Sequence, residues 1–276
     1  MGIEWALVLF TLVAGAGAGI LVFAGVGEFF GASKKTRFIA GIASLALFIV
    51  GGCLSLLHLG NPGNFMEAAA NLMSFSPISL ELIFLGFGAV VAIVYIVVAN
   101  REGMASKIVG VIGIVVGLIF MYVSGHGYEV VATRFAWATP ALSISYLLTS
   151  LTLGGFLFLL LQVLFKDEAA GMKKVALVVL IVAVLETIAL AAYGALAPLG
   201  SSAALFWSAA VVIGGIVAIA AGYIVYMKNM EIMVYVGAGA VLIGAVAFRA
   251  VMWLAGSSYI QSFFDIAEHS RSLFPL

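Results

Sequence analysis

Leu56-Leu57-His58-Leu59-Gly60-Asn61-Pro62-Gly63 closes one apolar run, and Ser76-Pro77-Ile78-Ser79-Leu80-Glu81 opens the next. The first run begins near Phe38, so at ~1.5 Å per residue it covers about 30 Å, the thickness of a bilayer's hydrocarbon core. His58 then falls at the edge of that core. Ser76 followed by Pro77 is the chemistry of a helix start, a capping hydroxyl and then a residue with no N–H to satisfy. That start puts Glu81 about one turn inside the following span. A histidine and a carboxylate, both able to handle protons, are therefore expected at one depth on one face of a membrane.

The rest of the chain reads the same way. Hydrophobic residues make up 65% of the 276 positions and charged residues 9%, too little polar surface to cover a water-soluble globule. Apolar runs long enough to span occur at about 5–29, 38–57, 78–98, 108–124, 141–164, 175–193, 204–226 and 232–255. The expected fold is an all-α integral membrane protein of eight transmembrane helices, a single membrane-anchor domain over 1–276. Met1 to Trp5 has no basic n-region, so the first run is kept as a span and not read as a cleaved signal. Gly15-Ala16-Gly17-Ala18-Gly19 in the first run, and Gly113 with Gly117 in the fourth, have the small-residue spacing that lets helices approach closely. Thr152-Leu153-Gly154-Gly155-Phe156 in the fifth run echoes the first and suggests two four-helix halves.

Orientation follows from the basic residues. Lys34, Lys35, Arg37, Arg101, Lys107, Lys166, Lys173, Lys174 and Lys228 all lie in or beside odd-numbered connections, against Arg134 and Arg271 in the even-numbered ones and the tail. The positive-inside rule makes the odd connections cytoplasmic, with both termini outside. His58, Glu81, a loop over 125–139 and a tail over 256–276 are then outer features. The segment 64–72 is expected as a short interfacial helix. Phe135, Trp137, Phe263 and Phe264 are outer aromatics, read either as interfacial belt residues or as contacts for a partner.

Net charge is zero, which gives no electrostatic ground for a nucleic-acid partner. The single cysteine, Cys53, supports neither an internal disulfide nor a thiolate-held cluster, and the three histidines, His58, His126 and His269, do not offer facing pairs for haem. No haem and no metal are expected on this chain. His58 and Glu81 remain as candidates for chemistry. Desolvation and the positive end of the helix dipole act in opposite senses on a carboxyl in the first turn of a span, which suits it to proton exchange. Oxidising a quinol releases two electrons and two protons, and requires hydrogen-bond acceptors for the hydroxyls beside an apolar slot for the ring. The plainer reading is an interfacial histidine bonded to a loop carbonyl and a polar helix start. Glu186 and Arg249 lie deep in the sixth and eighth runs, where each alone is costly; a structural ion pair is expected, or else a part in a proton route. Glu28, near the cytoplasmic end of the first run, is expected to snorkel or to face the bundle.

Leu57-His58-Leu59-Gly60-Asn61-Pro62, the loop after it and Glu81 resemble the membrane-anchor subunit of the dimethyl sulfoxide (DMSO) reductase family, DmsC type, and the resemblance runs over the whole chain. It implies an anchor in the bacterial cytoplasmic membrane that binds and oxidises menaquinol at the outer face. Electrons would pass to an iron-sulfur subunit and then to a molybdopterin catalytic subunit docked on that face. The family's histidine and glutamate match His58 and Glu81. Gly244 to Trp253 is similar to the family's last-helix pattern, except that the acidic place before Arg249 is apolar here. The alternatives are a quinone-interacting anchor of the NrfD or polysulfide reductase type, a structural anchor without a working quinone site, and a secondary transporter. The transporter reading is disfavoured because all five prolines lie at loops or helix ends.

Overall fold

The computed structural model describes residues 2–59, 63, 66, 70–99, 101 and 103–273, with side chains as far as Gly256 apart from that of Ala169. Eight of its helices are long and apolar enough to cross a membrane: α1 (Trp5–Phe30), α2 (Lys34–Leu56), α3 (Pro77–Ala99), α4 (Met104–Glu129), α5 (Pro140–Leu164), α6 (Ala169–Leu196), α7 (Gly200–Lys228) and α8 (Ile232–Leu273). Local chemistry sets several of the ends. Ser33 caps α2 by accepting a hydrogen bond from the Thr36 N–H, which starts the helix four residues ahead of the apolar run. Ser76 accepts from the Ser79 N–H at 3.2 Å and Pro77 is the first residue of α3, the start read from the sequence. The interfacial helix expected over 64–72 and the Gly60–Pro62 part of the motif lie mostly outside the described residues; Leu72–Ser74 forms one 3-10 turn.

Two C-terminal ends run five or more residues past expectation. Helix α4 continues to Glu129, so His126 sits on its last turn and not in a loop. The reason is tertiary packing: a side chain added at Gly125 would meet the Ser143 Cα at 2.6 Å, so this glycine holds α4 tightly against α5 beyond the point where hydropathy falls. Helix α8 runs on past Gly256 to Leu273, where a tail was expected.

Helix α1 is the centre of the bundle. Buried residues fill 78% of its apolar window, against 33% in α2 and 28% in α3, whose outer faces are left for lipid. Its alternating glycines divide between two neighbours. Gly15 and Gly19, one helical turn apart, both face α5, where a Cβ on Gly19 would sit 2.9 Å from the Gly154 Cα. Gly17 faces α2, and the Ser44 hydroxyl donates to its carbonyl at 2.8 Å. In lipid no hydrophobic gain drives helices together, so such backbone approach carries the association. Helices α1–α4 pack on one another and α5–α8 do likewise, and α5 joins the groups by lying on both α1, at the Gly19–Gly154 crossing, and α4, at Gly125. The two glycine-rich segments that echo each other in sequence are in direct contact.

Polar groups tie together the end opposite His58. Asp167, between α5 and α6, accepts from the Ser33 N–H at 2.9 Å and from the Thr36 hydroxyl at 2.7 Å, linking two connections at that end. Glu28 faces the bundle, where it pairs with Arg37 and accepts from the Tyr95 hydroxyl at 2.9 Å and the Ser106 hydroxyl at 3.1 Å. Four helices thus share one buried carboxylate whose lone pairs are well used.

Candidate functional site

At the other end, a cavity of about 410 Å³ opens between α1, α2, α3 and α4. Its walls are mostly apolar: Leu7 and Phe10 from α1, Leu56 from the end of α2, Ile78 and Leu82 from α3. His58 and Glu81 both line it. The structure therefore brings together the two residues that the sequence singled out from separate helices.

Each is held by its own helix. His58 lies two residues past the end of α2, and its Nδ1 contacts the Ser55 carbonyl oxygen. A carbonyl only accepts, so Nδ1 donates there, and the contact leaves Nε2 as the ring nitrogen free to meet a ligand. The carbonyl partner anticipated for a merely structural histidine thus exists, and it also orients the ring. Glu81 is half-buried on the first turns of α3; its Oε1 is shut off from solvent with no hydrogen-bond partner, and the Ser124 hydroxyl on α4 faces it. A carboxyl with unused acceptor capacity beside an apolar cavity is equipped to receive a hydroxyl proton from a ligand.

Two further wall residues were not foreseen as part of a site. Tyr128 lines the cavity because α4 reaches Glu129, and Trp137 closes it from the α4–α5 connection. Trp137 is neither a belt residue nor a surface contact. It is 4% exposed, donates its indole N–H to the Met252 carbonyl at 2.8 Å, and stacks edge-on with Tyr128 at 5.3 Å and with Trp253 at 4.9 Å. Arg134 covers the Trp137 ring at 4.2 Å. Phe135 remains exposed, while the side chains of Phe263 and Phe264 lie outside the described residues. The legible signal was the aromatic density of 128–137 itself; its direction, inward, depends on the neighbouring α8.

The ion pair expected between Glu186 and Arg249 is not formed. Both side chains are fully buried, but neither carboxylate oxygen of Glu186 has a hydrogen-bond partner. The Arg249 fork is taken up by neutral acceptors on α1, α5 and its own helix: Thr11 at 3.2 Å, Thr149 at 3.3 Å, Ser150 at 2.8 Å and the Ala245 carbonyl at 3.2 Å. Its guanidinium also lies 4.7 Å from the centre of the Tyr146 ring, and Tyr146 stacks on Tyr128 at 5.6 Å. Two aromatic rings therefore connect the cavity wall with the buried arginine. His126 stacks on Tyr122 and faces Glu129, with Nδ1 3.5 Å from the carboxylate. Among the described residues no cluster of three or more His, Cys, Asp or Glu is placed to hold a metal ion.

No curated protein sequence matches the chain. A family model does: that of the DMSO reductase anchor subunit, DmsC, over residues 1–234. The match contains every residue lining the cavity and stops before Arg249. The chain belongs to the DMSO reductase anchor subunit family, and is the membrane anchor of a DMSO reductase-like complex with catalytic and electron-transfer subunits.

Proposed function

We propose that this anchor oxidises menaquinol in the cavity between α1, α2, α3 and α4, and delivers the electrons to an iron-sulfur subunit docked over the same end. That subunit feeds a molybdopterin catalytic subunit. The observation that carries this reading is that His58, just past α2, and Glu81, on α3, line one mostly apolar cavity. A quinol losing two electrons also loses two hydroxyl protons. Nε2 of His58 takes one hydroxyl proton and the Glu81 carboxylate the other, while Leu7, Phe10, Leu56 and Leu82 enclose the ring. With one cysteine the chain cannot ligate a cluster of its own, so the electrons pass to a centre on the partner, which a cavity at the membrane edge brings near.

Nine basic residues cluster at or beside the connections of the opposite end, which supports a cytoplasmic placement for that end. The cavity, both termini and the docked subunits are then on the outer side of the bacterial cytoplasmic membrane. The test compares Glu81→Gln and His58→Ala in assembled complexes, with menaquinol and with an artificial donor that reduces the soluble subunits directly. Removing a general base costs on the order of 10²–10⁴-fold, so the menaquinol rate should fall by that factor while the artificial-donor rate holds. Unchanged menaquinol rates in both variants would refute the assignment.

A further inference from the structure

Beside the cavity that holds His58 and Glu81, a second cavity of about 380 Å³ lies between α2 and α3. Ser55, Leu56 and Leu82 line both, so the two meet at a shared wall. From that wall the second space follows α2 back from Ser55 to Phe48 and α3 forward from Leu82 to Ala89. Seven steps along each helix at ~1.5 Å make it about 10 Å long, running from the membrane edge toward the midplane. Apolar side chains and glycines form its sides. Its outer rim faces lipid: Ile49 is 56% exposed, and Cys53 and Gly86 are exposed as well. A Cβ built on Gly86 meets nothing within 4 Å, so this position leaves open space where a side chain would fill the groove.

We infer that this groove receives the isoprenoid tail of the quinol whose ring reacts at His58 and Glu81; the inference rests on that reading of the ring site. A ring seated in the first cavity has to send its tail out to the bilayer, and the groove is an apolar passage continuous with that cavity and open to lipid. Lipid is as apolar as the groove, so the tail gains little affinity there. What it gains is direction. A tail fixed along the α2–α3 seam turns the ring so that its hydroxyls meet His58 and Glu81.

The test fills the groove from each wall in turn, with Gly86→Trp on α3 and Cys53→Phe on α2, in assembled complexes. Both positions are exposed toward lipid, so neither change disturbs the bundle interior. Oxidation of long-tailed menaquinol is compared with that of tail-less dimethylnaphthoquinol. Misplacing a reacting ring by about an ångström costs on the order of 10²-fold, so either variant should lose long-tailed activity by about 10–100-fold and keep the tail-less rate within about twofold. His58→Ala, by contrast, should lose both. Unchanged long-tailed rates in both groove variants would overturn the inference and leave a membrane acyl chain as the occupant. An equal loss with both quinols would overturn it too, because the change would then act on the ring site. A parent complex that oxidises neither quinol would instead refute the ring site itself.

Discussion

Gly19→Ala should loosen the junction between the two halves of the bundle, and the structure supplies the size of the effect. The new Cβ would lie 2.9 Å from the Gly154 Cα and 2.5 Å from the Ser150 carbonyl oxygen, both backbone atoms that cannot rotate aside. Carbon atoms pack at ~3.5–4.0 Å, so α1 and α5 must move apart by about 1 Å. Overpacking of this kind costs about 1–3 kcal/mol. Against it stands the gain of replacing glycine by alanine in a helix, about 1 kcal/mol. Gly86→Ala is the matching control: it makes the same exchange within a span, but its Cβ meets nothing within 4 Å. The propensity gain cancels in the comparison, and Gly19→Ala should be less stable than Gly86→Ala by about 1–3 kcal/mol. Unfolding of the purified chain in detergent micelles, followed by circular dichroism, measures that difference. Equal stability would refute the claim that backbone contact at this crossing helps to hold the halves together.

The same unfolding assay tests the buried pair. With Arg249 satisfied by hydroxyls and no bond to Glu186, the coupling between Glu186→Gln and Arg249→Met in the double variant should stay well below the about 3–5 kcal/mol of a direct buried ion pair; a coupling of that size would restore the pair. For orientation, single cysteines at Lys35 and Ser74 on a Cys53→Ser background should react with an impermeant maleimide from opposite sides, Ser74→Cys from outside. Labelling from the same side would overturn the outer placement of the cavity.

Much of this architecture was legible because lipid imposes simple rules. Spans had to be long and apolar, close helix contacts had to use small residues, and Ser76-Pro77 had to begin a helix, so the relative depth of His58 and Glu81 could be read from counting. What escaped was rotation about helix axes. Sequence shows Glu186 and Arg249 deep in their spans, but not that the arginine points at Thr11, Thr149 and Ser150. Nor does it show that Trp137 turns inward onto Met252, since the acceptor is 115 residues away. The end of α4 was missed because Ser124-Gly125-His126-Gly127 lowers hydropathy while improving the fit against α5. That extension is what places Tyr128 in the cavity wall.

Photolabelling bears most directly on where the quinol sits. An azido-menaquinone analogue, irradiated with the assembled complex and mapped by peptide mass spectrometry, should attach within 7–10, 55–59, 78–82 or 127–137, the segments that wall the cavity. Excess menaquinone should prevent the attachment, and His58→Ala should weaken it. Labelling confined to α6, α7 or α8, or labelling of the cavity segments that menaquinone does not displace, would contradict the account.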